Sequence, residues 1–227
     1  MLSTGRSEAD RYPRTVRPTT LDHVALWVAD RDAISAQLVD ELGLHEIERT
    51  ERFTLLGADA RRGKLTLFAA EGPRDRGALR RIGLRVNSAA GLKERLDLGE
   101  GLELVLVEGE TESDFDLDHV ALVSRDPAAA ARGWEAYGFR AAGENRLEVG
   151  GAFLELHEGD PGEPERPLLN HIGVLVESVE ETVLDAEERG IEIADVVDAP
   201  NTLALFVWGP DRVKLEYVEH KSSFSLS

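Results

Sequence analysis

The chain has 227 residues, 44 acidic and 26 basic, giving a formal net charge of −18, and it contains no cysteine. That charge argues against a nucleic-acid footprint and against attachment to an anionic membrane surface. The missing thiols exclude disulfides and thiolate metal sites, so any metal must be held by His, Asp, Glu or Asn. No apolar run is long enough to span a bilayer and the opening residues lack a signal-peptide core, so a cytoplasmic location is expected.

Residues 1–19 carry no periodicity and are expected to form a mobile arm. The first alternating strand, Leu21-Asp-His-Val-Ala-Leu-Trp27, returns as Leu79-Arg-Arg-Ile-Gly-Leu-Arg85, as Leu117-Asp-His-Val-Ala-Leu-Val123 and within Leu168-Leu-Asn-His-Ile-Gly-Val-Leu-Val-Glu177. These are read as the opening strands of four repeated modules. Aligned, they place His23, Arg81, His119 and His171 at one structural position.

In module 1 the strand leads to a helix capped at Asp30 or Asp32 and stopped by Gly43, then to β-rich pieces over 46–56 and 64–68. Module 2 is truncated: an opening strand, a weak helix over 87–98 and one strong strand over 102–107. The acidic stretch 108–114 reads as a linker and a domain boundary. Module 3 has Asp126-Pro127 to start its helix and Gly138 to stop it, then strands over 140–142, 146–149 and 152–157. A Pro/Gly loop at 158–167 precedes module 4, where Ser178 and Glu181 form a capping box, Gly190 stops the helix, and strands cover 192–197, 202–208 and 213–218.

Paired βαβββ modules with an H-[VI]-[AG]-[LV] opening strand and a closing strand of the form x-Leu-Glu-[Leu/Tyr] resemble the vicinal oxygen chelate superfamily. That group includes glyoxalase I, bleomycin-resistance proteins and extradiol ring-cleavage dioxygenases. The resemblance implies an α+β fold of four βαβββ modules, the second truncated, paired into two cupped mixed β-sheet barrels with helices outside. Residues 20–110 would form an N-terminal barrel with a degenerate site, 115–220 a C-terminal barrel with the metal site, and 221–227 a tail. It also implies metal ligands from the first and last strands of two paired modules.

Strand geometry supplies candidates for those ligands, because side chains at i and i+2 share a face. His119 lies beside Ala121, and His171 beside Gly173. In the closing strands, Glu155 and His157 share one face, and Lys214 and Glu216 another. With modules 3 and 4 paired, His119, Glu155, His171 and Glu216 would meet around one divalent metal ion per chain, chosen among Fe, Mn, Ni, Co and Zn. The corresponding N-terminal residues are His23, Thr66, Arg81 and Val105. An Arg there would repel a cation, so His23 is expected to be packed rather than ligating. His157 is a candidate proton shuttle, and Phe206, Trp208 and Lys214 are candidate pocket residues.

Resemblance to glyoxalase I implies isomerase or lyase chemistry on a small substrate chelated through adjacent oxygens, with Glu155 or Glu216 serving as base. The four-module layout offers a second reading, a catechol-type extradiol dioxygenase using Fe(II). Resemblance to bleomycin-resistance proteins offers a third, non-catalytic binding of a small molecule. The expected partner is a small-molecule substrate, with no nucleic acid and no membrane, and homo-oligomerisation is left open.

Overall fold

The protein is described by a computed structural model over residues 17–59 and 63–224. Most of the expected arm and the last three residues of the tail lie outside those bounds. Module 1 comprises β1 (Thr20–Val28), α1 (Arg31–Leu42), β2 (His45–Arg49), β3 (Phe53–Gly57) and β4 (Lys64–Ala69). Module 2 has β5 (Leu79–Val86), β6 (Arg95–Asp97) and β7 (Glu103–Glu108). Module 3 follows with β8 (Asp116–Ser124), α2 (Pro127–Glu135), β9 (Arg140–Ala141), β10 (Arg146–Val149) and β11 (Ala152–Glu158). Module 4 closes the chain with β12 (Leu169–Leu175), α3 (Val179–Glu188), β13 (Ile193–Asp198), β14 (Thr202–Trp208) and β15 (Lys214–His220).

The helices start where the sequence places their caps. The side chains of Asp30, Asp126 and Ser178 accept from the backbone N–H of Ala33, Ala129 and Glu181, satisfying donors that a helix start leaves open. Gly43 ends α1 with φ 71°, a left-handed conformation that costs glycine little. The expected helix over 87–98 does not form. There, the backbone N–H of Ala90 turns onto Ser88 Oγ, Ala89 N–H bonds the Glu108 carboxylate, and the Asn87 side chain bonds the backbone of Thr111. Local side-chain acceptors outcompete the helix ladder, and β6 takes the remaining length.

Two mixed sheets result, with strand orders β13-β14-β15-β12-β1-β4-β3-β2 and β6-β7-β5-β8-β11-β10-β9. Both orders are open, so the expected cupped barrels are corrected to two open sheets: among the described residues no edge strand pairs with the opposite edge. Closure requires each edge to find a partner. Here β2 carries Glu46, Glu48 and Arg49 and β13 carries Asp195 and Asp198, all exposed, and such charged edges resist pairing.

The pairing of modules also departs from expectation. Module 1 shares a sheet with module 4, and module 2 with module 3; the opening strands β1 and β12, and β5 and β8, run antiparallel at the two sheet centres. The acidic stretch 108–114 therefore joins β7 to β8 within one sheet instead of separating two halves. In each module the closing strand lies parallel to the opening one, so β4, β15 and β11 flank β1, β12 and β8. Helices pack outside on the apolar faces, where Ile34, Leu38 and Leu42 of α1 and Trp134 of α2 are buried. Burying a Leu such as Leu38 contributes about 1.5–3 kcal/mol.

Candidate metal centre

Each opening strand is interrupted by one extra residue immediately before the residue at the repeated site position. In the β1–β12 register, Leu21 pairs with Val174 and His23 with Gly173, which leaves Asp22 as the extra residue; Ala25 pairs with His171 and Leu26 with Leu169, which leaves Asn170. The β5–β8 pair leaves Arg80 and Asp118 in the same way. Such bulges re-aim side chains. Asp22 Oδ2 lies 2.8 Å from His23 Nδ1, Asn170 Oδ1 2.9 Å from His171 Nδ1, and Asp118 Oδ1 2.8 Å from His119 Nδ1. Each bulge oxygen thus holds its ring by Nδ1–H and turns Nε2 toward the sheet face.

On the eight-stranded sheet those Nε2 atoms converge. His23 Nε2 and His171 Nε2 are 2.9 Å apart, and Glu216 Oε2 from β15 lies 2.9 Å from the first and 2.8 Å from the second. All three residues are buried. The rings meet edge to face, at 87°. Room for the His23 ring comes from Gly173 opposite it, where a Cβ would stand 2.3 Å from the imidazole. Thr66, in register on β4, occupies the place equivalent to Glu216.

The electrostatics fit a cluster that needs a cation. Burial alone would raise the Glu216 carboxyl, but the two imidazoles outweigh it and hold it well below the usual range. Burial would lower His23, but Glu216 and Asp22 outweigh it and push its pKa up to about 9. His171 is lowered, chiefly by burial, with the charges of His23 and Lys214 adding and Glu216 opposing. The two rings are therefore shifted in opposite directions, His23 toward its protonated form and His171 toward its neutral one. Behind it, Asp22 Oδ1 lies 3.0 Å from Lys64 Nζ and 3.1 Å from His220 Nε2. Phe224 stacks on His220 at 3.9 Å between centroids.

A metal ion is compatible with this donor set. Bonds of about 2.1 Å place neighbouring donors about 3.0 Å apart at right angles and about 3.4 Å apart at the tetrahedral angle. The observed edges of 2.8–2.9 Å agree with one face of an octahedron. The His23/His171/Glu216 cluster could coordinate a single divalent metal ion.

The expected four-ligand set is not brought together. His171 and Glu216 lie in the eight-stranded sheet, whereas His119 and Glu155 lie in the other, facing Arg81. Arg81 Nε donates to His119 Nε2 at 3.3 Å, and its Nη2 lies 3.2 Å from Glu155 Oε2. A guanidinium occupies the place between the donors. His157 Nε2 lies 3.9 Å from Glu155 Oε2, and its pKa is lowered by burial and by Arg80 and Arg81; it belongs to this second cluster, not to the triad. His23, expected to be packed, is instead one of the three converging donors, because module 1 pairs with module 4. Asp22 and Asn170 were not singled out from sequence, although an Asp or Asn stands before each of the three histidines of the repeat.

Aromatic rings flank His171, Phe206 at 5.2 Å and Phe68 at 6.4 Å between centroids. Trp27 packs on Phe68 at 5.2 Å. A cavity of ≈ 790 Å³ is lined by Trp27, Trp208 and Lys214 together with the loop around Pro161–Pro167. The three donors do not line it, but it reaches the bulge residue Asn170. Of the three expected pocket residues, Trp208 and Lys214 border the cavity while Phe206 packs on His171.

Comparison with solved structures places this fold. A candidate dioxygenase of Bacillus subtilis superposes with a TM-score of 0.73 at 16% identity, over 92% of this chain and 87% of that one. Glyoxalase I from Zea mays gives 0.61 at 16% identity, over 88% and 92%. The cppA protein of Streptococcus pneumoniae gives 0.60 at 14%, over 90% and 99%. At such identities the likeness concerns the fold alone. No sequence-family model matches the chain, and no curated protein matches it. Among the described residues, no helix is long and apolar enough to cross a membrane.

Proposed function

We propose that the protein is a divalent-metal-dependent enzyme that takes a small substrate through two neighbouring oxygens, with His23, His171 and Glu216 as metal ligands, and that it performs catechol-type ring cleavage with Fe(II). The observation that carries this reading is the donor set. Two imidazoles and one carboxylate on a single face form the ligand pattern of non-haem Fe(II) oxygenases. In the glyoxalase-like alternative a ligand carboxylate would serve as base; the place equivalent to Glu216 holds Thr66, so Glu216 is the one carboxylate among the three donors.

The chain's own part is to hold and to exclude. Asp22 and Asn170 hold the two rings at Nδ1 and turn both Nε2 atoms toward Glu216, where they would serve as ligands. Phe68 and Phe206 keep water from the sides of His171. When bound, the metal would supply Lewis acidity to the two substrate oxygens and a site for oxygen activation.

Metal analysis and oxygen uptake with catechol test the proposal on the untagged, Fe(II)-loaded protein. About one ion per chain and catechol-dependent uptake are expected, both lost in His23→Ala and Glu216→Ala. Unchanged metal content in both variants would sink the ligand assignment. Retained metal without uptake would sink ring cleavage and leave a metal-dependent binding protein.

A further inference from the structure

Beyond the three donors, the sheet face continues into the cavity along a short path. Lys214 precedes Glu216 by two residues on β15 with no irregularity in its pairing, so the two side chains share a face about 7 Å apart along the strand. Their partners on β14 are Trp208 opposite Lys214 and Phe206 opposite Glu216. Two aromatic rings therefore line the path from triad to cation, and Trp27 lines the same cavity from β1.

Lys214 is half-buried, lies over the Trp208 ring at 4.9 Å and has no carboxylate partner among the described residues. Two of the other cations at the cavity differ in having carboxylate partners: Arg125 pairs with Asp160 and Glu163, and Arg212, which also lies over the Trp208 ring at 4.2 Å, pairs with Glu192. Arg166 is exposed on the loop, as are the acids Glu165 and Asp211 at the cavity rim. In a chain with a net charge of −18, an unpaired ammonium on an aromatic floor is a specific place for an anion.

We infer that the substrate is a flat, aromatic or similarly unsaturated carboxylate whose neighbouring oxygens face His23, His171 and Glu216 while its carboxylate, farther along the same sheet face, pairs with Lys214. This rests on the metal-site reading above and adds the class of substrate. A carboxylate at the para position of a ring carrying the two oxygens points away from the donors along that face, and the ring lies against Phe206 and Trp208.

Two inert chelators matched except for that group test it: benzohydroxamate and 4-carboxybenzohydroxamate, titrated by calorimetry into metal-loaded full-length protein. The carboxylated probe should bind about tenfold tighter, as one charge-assisted pair predicts. Lys214→Met should abolish the preference with metal content unchanged, and Lys214→Arg should keep most of it, which guards against a folding defect in the first variant. Equal affinities in the wild type, or a preference that survives in Lys214→Met, would overturn the inference while leaving the metal site standing. A wild-type protein that binds no metal would remove the metal-site reading and this inference with it.

Discussion

The two sheets hold two versions of one arrangement. On the eight-stranded sheet, His23, His171 and Glu216 converge to within 2.9 Å of one another. On the seven-stranded sheet, His119 and Glu155 stand 3.8 Å apart and share Arg81. The bulges, the Nδ1 anchors and the glycine beneath one ring recur in both. What differs is the residue at the remaining opening-strand position: His23 completes a set of three donors that could coordinate a divalent ion, whereas Arg81 sets a guanidinium between His119 and Glu155.

Four substitutions sharpen that contrast. The largest effect is expected from Gly173→Ala, whose Cβ would stand 2.3 Å from the His23 ring and must displace it. Metal affinity should fall by about 100-fold, the upper range for disturbing a ligand's support. The matching change Gly83→Ala, whose Cβ would stand 2.3 Å from the His119 ring, should cost about 1–3 kcal/mol of stability and leave metal content unchanged. Metal analysis beside denaturant unfolding reads both, and an equal loss of metal in the two would erase the distinction between the sheets.

Next is Arg81→His, which gives the seven-stranded sheet two imidazoles facing Glu155. Metal content should rise from about one toward about two ions per chain, the second bound more weakly because Glu155 is partly exposed. A stoichiometry that stays at one after this change would show that more than the guanidinium separates the clusters.

The smallest effect concerns acid. Burial alone would raise the Asp118 carboxyl, but the His119 ring and the Arg85 guanidinium outweigh it and hold it below the usual range. A depressed folded pKa means that the stability is present above the unfolded value of about 3.9 and is lost as pH falls through the folded one. Asp118→Asn should therefore lower stability at neutral pH and flatten its decline below about pH 4. Unfolding curves from pH 2.5 to 7 would expose an unchanged acid limb, which would remove Asp118 from the supports of this cluster.

Much of the fold was legible because it repeats. The alternating opening strand located all four modules and the capped helices marked three of them, and the register confirms that Thr66, Val105, Glu155 and Glu216 are equivalent. The pairing of modules was not legible from pattern. Modules 1 and 3 carry His-Val-Ala, and modules 2 and 4 carry Ile-Gly after the site position; each sheet takes one of each kind, which both pairings satisfy.

Charge would have chosen between them. Joining module 1 to module 2 would set Arg81 beside His23 with only Thr66 and Val105 at the closing strands, leaving a buried guanidinium with no anion. Joining module 2 to module 3 gives it Glu155. The helix expected over 87–98 failed for a local reason, since the backbone and side-chain acceptors that replace it come partly from residues 108 and 111 and are invisible in that window.

The antiparallel meeting of β1 and β12 also sets an order of events during synthesis. The first ligand is in the opening strand of the chain and the last is in its closing strand, so at about 5–20 residues per second the ribosome delivers Glu216 roughly 10–40 s after His23. By then all strands of the sheet between them, formed by modules 2 and 3, have already emerged. The nascent chain can finish its arginine-filled sheet first, while β1 waits with an incomplete pair of donors. The three donors can come together only once β15 has been made.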